Sequence, residues 1–356
     1  DQTGWFECSH PGITRLHENI VWSTRSNMVC LPTDCPQRDE RLGWTGDIQV
    51  FAPTAGFLFE SAPLIQDWLR DVWIEQQRLD EGVPPYVPWI PGGYWNGKNQ
   101  IAGWGDVVAL TPMAVFQETG DEEVLFSQFA SAARWVDEIE AELGADGTWD
   151  TGFQLGDWLD PSAPPDDPIR ALTDAHLVAS AYHVHSSESV ARMAEITGRH
   201  EEARARQSRV NVLKEAFRRR YVLPDGRMTS DTQTAYALAI KFELLSSVQR
   251  EGAGRRLAEL VRESEGRIST GFLGTPAVCD ALSMTDHLDE AYLLLEQEEC
   301  PSWLYPVKMG ATSIWERWDS LLPDGTVNPG EMTSFNHYAL GSVGEWIHST
   351  VGGLIA

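Results

Sequence analysis

Lysine is nearly missing from this chain: only four of its 27 basic residues are Lys, against 53 Asp and Glu. The net charge of −26 argues against nucleic acid or an anionic membrane as a partner, because both select clustered cations. The preference for Arg carries no functional reading by itself. Cysteine is sparse and odd in number. Cys8, Cys30, Cys35, Cys279 and Cys300 contain no C-x-x-C pair and no regular spacing, which argues against a disulfide framework or a zinc site. A single bridge from Cys30 or Cys35 stays open. Long apolar runs are also missing, so no segment is expected to span a bilayer. Residue 1 is Asp and no charged-then-apolar leader follows it, so any targeting signal is expected outside these 356 residues. A cytoplasmic and a secreted location are both compatible with that.

The composition, 42% apolar and 22% charged, is that of a soluble chain able to bury a sizeable core. Its unusual feature is 15 Trp, more than its 12 Phe or 8 Tyr. Such rings fill cores, and they also stack on the apolar faces of sugars. Apolar residues recur at helical spacing almost throughout. In 63–79 the stripe is Leu64, Trp68, Leu69, Val72 and Leu79; in 122–143 it is Val124, Phe129, Ala133, Val136 and Ile139. Further helices are expected at about 10–28, 47–61, 106–118, 173–198, 200–221, 232–243, 246–263, 275–284, 287–297 and 333–350. Between them lie Gly/Pro-rich loops at 81–100, 155–168 and 321–331, of a length that is usually functional. Short strand pairs are expected only near 145–156 and 319–328, and no fixed-period repeat is visible. About twelve helices interrupted by long loops predict one all-α domain over 1–356, closed into a double ring.

The stretch "TDCPQRDERLGWTGD" (33–47) packs four carboxylates, two arginines and a tryptophan into fifteen positions. Three other places join Trp to a carboxylate: "GWGD" (103–106), "LGDWLD" (155–160) and "IWERWD" (314–319). All lie near loop–helix boundaries, where a ring of helices would bring them to one end. Trp suits the CH-rich face of a pyranose, and a carboxylate accepts charge-assisted hydrogen bonds from its hydroxyls. For any single pair, a core ring beside a helix cap is the plainer account. Hydrolysis of a glycoside uses a pair of carboxyl groups, here to be drawn from separate parts of the chain. The candidates are Asp34, Asp39, Glu40 or Asp47, opposite Glu316, Asp319 or Glu331.

"DCPQRDERLGWTGD" resembles the signature of the bacterial α-L-rhamnosidases of glycoside hydrolase family 78. The resemblance continues through "FECSHPGITRLHENIVWSTRSNM", "GWGD", "GATSIWERWDS" and "SFNHYALGSVGEWIH" and covers essentially the whole chain. It implies an (α/α)6 barrel that removes terminal α-L-rhamnose with inversion. It also implies flanking β-sandwich domains, of which no sequence is seen here. By the same resemblance Glu40 is the general acid and Glu316 the general base. Asp34, Arg38 and Asp47 hold sugar hydroxyls, Trp44, Trp104 and Trp158 are stacking rings, and His337 lines the pocket. A ring against the C6 methyl would explain selection of a deoxy sugar. The family implies no metal and no cofactor, and a rhamnose-containing glycoside or polysaccharide as partner; a homo-oligomer is compatible with it.

Each role has a structural counterpart. Asp34 and Asp47 could cap helices, Arg38 could be an ion-pair partner, each Trp could be core, and His337 could be structural. Glu40 poses a specific difficulty, because Arg38 and Arg41 flank it and a cation lowers a carboxyl pKa. The expectation is that Arg38 and Arg41 pair instead with Asp34 or Asp39, leaving Glu40 to be raised by crowding and Trp packing. Asp106 and Asp157 are weaker pocket candidates, and Glu331 is the second choice of base. Rival readings are another (α/α)6 glycosidase and a sugar-binding barrel without catalysis. A Mg²⁺ enzyme is disfavoured, since no phosphate-binding glycine loop is present.

Overall fold

The periodic segments do become helices, and whether a helix carries one apolar stripe or is apolar all round decides which of two rings it joins. The computed structural model describes residues 1–90, 93, 95 and 100–354. Its helices begin with α1 (Pro11–Asn27), α2 (Thr45–Leu58), α3 (Ala62–Arg78), α4 (Val107–Thr119), α5 (Glu123–Ala141) and α6 (Ala175–Ile196). They continue with α7 (His200–Tyr221), α8 (Gln233–Lys241), α9 (Ser247–Glu263), α10 (Thr275–Ser283), α11 (Leu288–Glu296) and the short α12 (Leu304–Lys308). The chain finishes in a 3-10 turn (Ala339–Val343), a single α turn, α13 (Gly344–Trp346), and a π turn (Ile347–Val351).

Helices α2, α4, α6, α8 and α10 touch in succession, and the final helical run packs against both α10 and α2, which closes an inner ring. Helix α8 is buried from Gln233 to Ile240, as a helix enclosed on all sides must be. Helices α1, α3, α5, α7, α9 and α11 form the outer layer. Helix α3 shows the pattern: Ile65, Trp68, Leu69, Val72 and Gln76 face inward while Asp67, Arg70, Asp71 and Arg78 face water. The architecture is an all-α (α/α)6 barrel. Local signals set its boundaries. Ser246 and Gln249 form a reciprocal cap on α9, and Gly120 ends α4 in the left-handed region (φ 69°), where a side chain would be strained.

Eight of the fifteen tryptophans are buried, among them Trp135, Trp149 and Trp346, so half of the Trp enrichment serves the core. Several expectations need correction. The helix expected over 333–350 starts only at Ala339, because the preceding residues bond elsewhere: Ser334 O accepts from Glu316 N, and His337 N donates to Ile314 O. Helix α12 was not expected. Among the described residues, 145–156 forms a tight turn at Gly147 (φ 83°) and no strand pair, whereas 319–328 carries one bridge, Leu321 with Val327. All five cysteines are free, which removes the bridge left open for Cys30 or Cys35. Residues 91, 92, 94 and 96–99 of the expected 81–100 loop lie outside the described residues. No described helix is long and apolar enough to cross a membrane.

Candidate active site

Loops that lead into the inner helices meet at one end of the barrel, and the meeting point is built around Arg38. The loop 34–42 is closed by a backbone bond, Asp34 N to Leu42 O (2.9 Å), and by Leu42 N donating back to the Asp34 side chain at Oδ1 (3.0 Å). Arg41 takes a left-handed backbone (φ 44°) that turns the chain back. From this loop Arg38 reaches three carboxylates. It makes a fork onto Glu316 (Nη1–Oε2 2.5 Å, Nη2–Oε1 3.1 Å), and Nη2 also meets Glu40 Oε2 at 2.9 Å and Asp34 Oδ2 at 3.4 Å. Glu316 and Asp34 are buried, and Glu40 nearly so. The expected pairing is therefore half right. Arg41 faces Asp39 loosely at the surface (3.9 Å), but Arg38 does contact Glu40.

Burial is the leading cause of the upward shift of each carboxylate here. It pushes Glu40 up, helped by Asp34, against the lowering pull of Arg38 and of the Trp44 indole. It pushes Glu316 up to about 7, against His337 and Arg38. Asp47 is likewise raised by burial, while His337, its neighbour through Nε2 (3.1 Å), pulls it back. His337 Nδ1 accepts from Ala339 N–H (3.3 Å), so the neutral ring carries its proton on Nε2. Burial opposes a second proton on the ring, but Asp47 and Glu316 outweigh it and raise the pKa. Asp47 is thus the buried partner of His337 and sits in the first turn of α2.

The three expected stacking rings differ in placement. Trp158 is half-buried on its loop. Trp44 is half-buried, and its indole N–H donates to Glu40 Oε1 at 2.7 Å, a hydrogen bond that no sequence spacing announced. Trp104 is only 3% exposed and lies flat against Gly46, where any Cβ would collide with its ring at 2.6 Å. Its position is that of a core ring packed against the first turn of α2.

Asp106 and Asp157, the weaker candidates, prove to be anchors. Asp106 is fully buried and accepts from Gly103 N, Trp135 Nε1 and Ser186 Oγ. Asp157 is fully buried and accepts from Thr234 Oγ1 and from the backbone N–H groups of Gly271, Leu273 and Gly274 at the entry to α10. Burial raises its pKa to about 6, while these donors favour the ionised form. Each anchor fixes a loop that carries a tryptophan. Asp319, 31% exposed, pairs with Arg317 and Asn328, and Glu331 is exposed, so of the three base candidates only Glu316 joins the cluster.

Asp34, Cys35 and Glu40 bring one ligand atom each within 4.8 Å of one another. The donor set does not suit a cation. The guanidinium of Arg38 already pairs with two of the three, and burial together with Asp34 keeps the Cys35 thiol protonated, donating to Asp34 (3.0 Å). A cavity of about 820 Å³ opens elsewhere, lined by Val50, Met113, His185, Lys241, Ala277 and Glu345, and shares none of the site residues.

Several known proteins resemble this chain over nearly its whole length. The family model of the bacterial alpha-L-rhamnosidase six-hairpin glycosidase domain matches residues 1–351. An alpha-L-rhamnosidase of Streptomyces avermitilis is 41% identical over 349 residues, covering 98% of this chain and 32% of that protein. One of Formosa agariphila is 36% identical, covering 99% of this chain and 38% of that protein. The chain therefore spans about a third of the length of these curated relatives. Among solved structures, native alpha-L-rhamnosidase from Aspergillus terreus superposes with a TM-score of 0.96 at 43% identity, over 99% of this chain and 41% of that one. The Streptomyces avermitilis enzyme complexed with L-rhamnose gives 0.90 at 39%, over 99% and 33%.

Proposed function

Because the chain belongs to the bacterial α-L-rhamnosidase six-hairpin glycosidase family, we propose that it hydrolyses terminal α-L-rhamnosyl residues with inversion at the anomeric carbon. The observation that carries the proposal is the gathering of Glu40, Asp34 and the far-separated Glu316 on one guanidinium in a buried, Trp-edged site. Glu40 is the general acid and Glu316 the general base. The fork of Arg38 lies on Glu316, whereas Glu40 receives a single contact from the same nitrogen. A sugar hydroxyl that draws Arg38 off Glu40 removes the cation from the acid and leaves it on the base. Glu40 then gains its proton more readily, and Glu316 stays ionised to take one from water.

Asp34 and Arg38 bind hydroxyls, Asp47 and His337 act as a buried pair on the base side, and Trp158 offers a half-exposed face to the ring. Trp104 braces the first turn of α2 through Gly46. The chemistry requires no metal and no cofactor. The substrate is a rhamnose-ended glycoside or polysaccharide.

Incubating this chain with p-nitrophenyl α-L-rhamnoside and following the liberated sugar by proton NMR tests the proposal. The β anomer of rhamnose should appear first, before mutarotation. Appearance of the α anomer first would replace inversion by a double displacement, and no release of rhamnose would remove the hydrolytic reading.

A further inference from the structure

Between Glu40 and the body of the barrel stands one hydrogen bond that the catalytic roles above leave unused. We propose that Trp44 is the positioning residue of the general acid: its indole N–H occupies Glu40 Oε1 and so assigns the transferable proton to Oε2. The inference rests on Glu40 being the acid.

The geometry is specific. The Trp44 Nε1–H donates to Oε1 at 2.7 Å, and Oε2 faces Arg38 Nη2 at 2.9 Å. An indole nitrogen donates only, so the oxygen it meets cannot also carry a proton pointing at it. Trp44 is held so that its N–H keeps this aim. It immediately precedes α2 in an extended conformation, Thr45 N and Oγ1 both donate to Pro85 O, and Val87 N donates to Gly43 O. Tyr86 packs edge-on against the indole at 5.1 Å. A ring meant only to face a sugar would need none of this orientation about its nitrogen.

The proton balance follows. Glu40 Oε2–H donates to the glycosidic oxygen as the bond from C1 breaks, and the bonding pair leaves with that oxygen. Water forms the new bond to C1 from the opposite face and passes its proton to Glu316. Protonated Oε2 is uncharged and a much weaker acceptor for Arg38, so the guanidinium rests on Glu316 and Asp34 in that state. After release, the proton on Glu316 passes to solvent and Glu40 takes one back.

Trp44→Phe tests this, because Phe keeps an aromatic face but has no ring N–H to donate. The indole favours the ionised carboxylate, so its loss should move the alkaline limb of kcat/KM up by about one pH unit. Loss of aim should cost about thirtyfold on rhamnosyl-glucose, which needs its leaving oxygen protonated, but only about threefold on p-nitrophenyl rhamnoside, which does not. Trp44→His, which keeps a ring N–H, should recover part of both effects, and it serves as the readout if the Phe variant melts early. An unmoved limb together with equal losses on the two substrates would overturn the role given to Trp44. Glu40→Gln, run beside it, separates the two claims: equal loss on both substrates in that variant would remove Glu40 as the acid, and the inference with it.

Discussion

Arg38 answers three carboxylates with one planar fork, and that sharing makes a set of buried acids tolerable. Lysine at this position would keep the charge but offer a single point donor. Arg38→Lys should lower kcat/KM about a hundredfold. It should also move the acid limb upward: Glu316, the proposed base, must be ionised, its pKa stands raised to about 7, and a weaker cation holds it down less. A pH–rate profile of the two proteins checks both effects. The residues of this cluster were legible in the sequence because "TDCPQRDERLGWTGD" and "SIWERWDS" carry charges that a loop has no other use for. Their partnerships were not. The pairing of Asp47 with His337 depends on how separate loops meet, and the turn of the Trp44 nitrogen toward Glu40 depends on the backbone path of one irregular loop; spacing along the chain encodes neither.

The loops that present the site are held from beneath by buried carboxylates. Asp157 joins the 155–160 loop to the start of α10 through three backbone donors and to α8 through Thr234, and the carbonyl of its neighbour Trp158 accepts from Phe272 N. Asp157→Ala leaves those donors unpaired and should cost about 3–5 kcal/mol of stability, read as a lowered denaturation midpoint. Gly271→Ala should act on the same joint, since a Cβ there would stand 2.3 Å from Trp158 O and 2.4 Å from Asp157 O, both backbone atoms. It should lower the melting temperature and raise KM for rhamnosides, as the Trp158 loop is pushed away. Helix positions could be read from periodicity to within a few residues, because the inner and outer faces leave different apolar patterns. Whether the Trp or the Asp of a "GWGD" or "LGDWLD" points into the pocket could not, because both fit a loop–helix junction. In each case the carboxylate went into the core as the anchor.

Across the whole molecule, the charge of −26 is compensated at the site by very few cations, and buried neutral histidines make the fold sensitive to acid. Burial lowers His17 to about 4, aided by the adjacent His348, and lowers His185, stacked on Phe242, to about 3. A folded pKa below the unfolded 6.5 means stability that is present above 6.5 and lost as pH falls toward 4. The melting temperature should drop by several degrees across that window, and His185→Phe should flatten the drop. The closed double ring was legible from a dozen helical segments and their long loops; the irregular final helix was not, since its approach residues bond to the 314–316 segment. What the barrel achieves is to bring Glu40 and the far-separated Glu316 onto one guanidinium, and the acid and base roles proposed for them are the claim to test most directly. Glu40→Gln and Glu316→Gln should be compared with the parent on rhamnosyl-glucose, with rhamnose binding followed by calorimetry. Each variant should lose about a thousandfold in kcat while binding rhamnose within about tenfold of the parent. Turnover near the parent level in either variant would contradict the account.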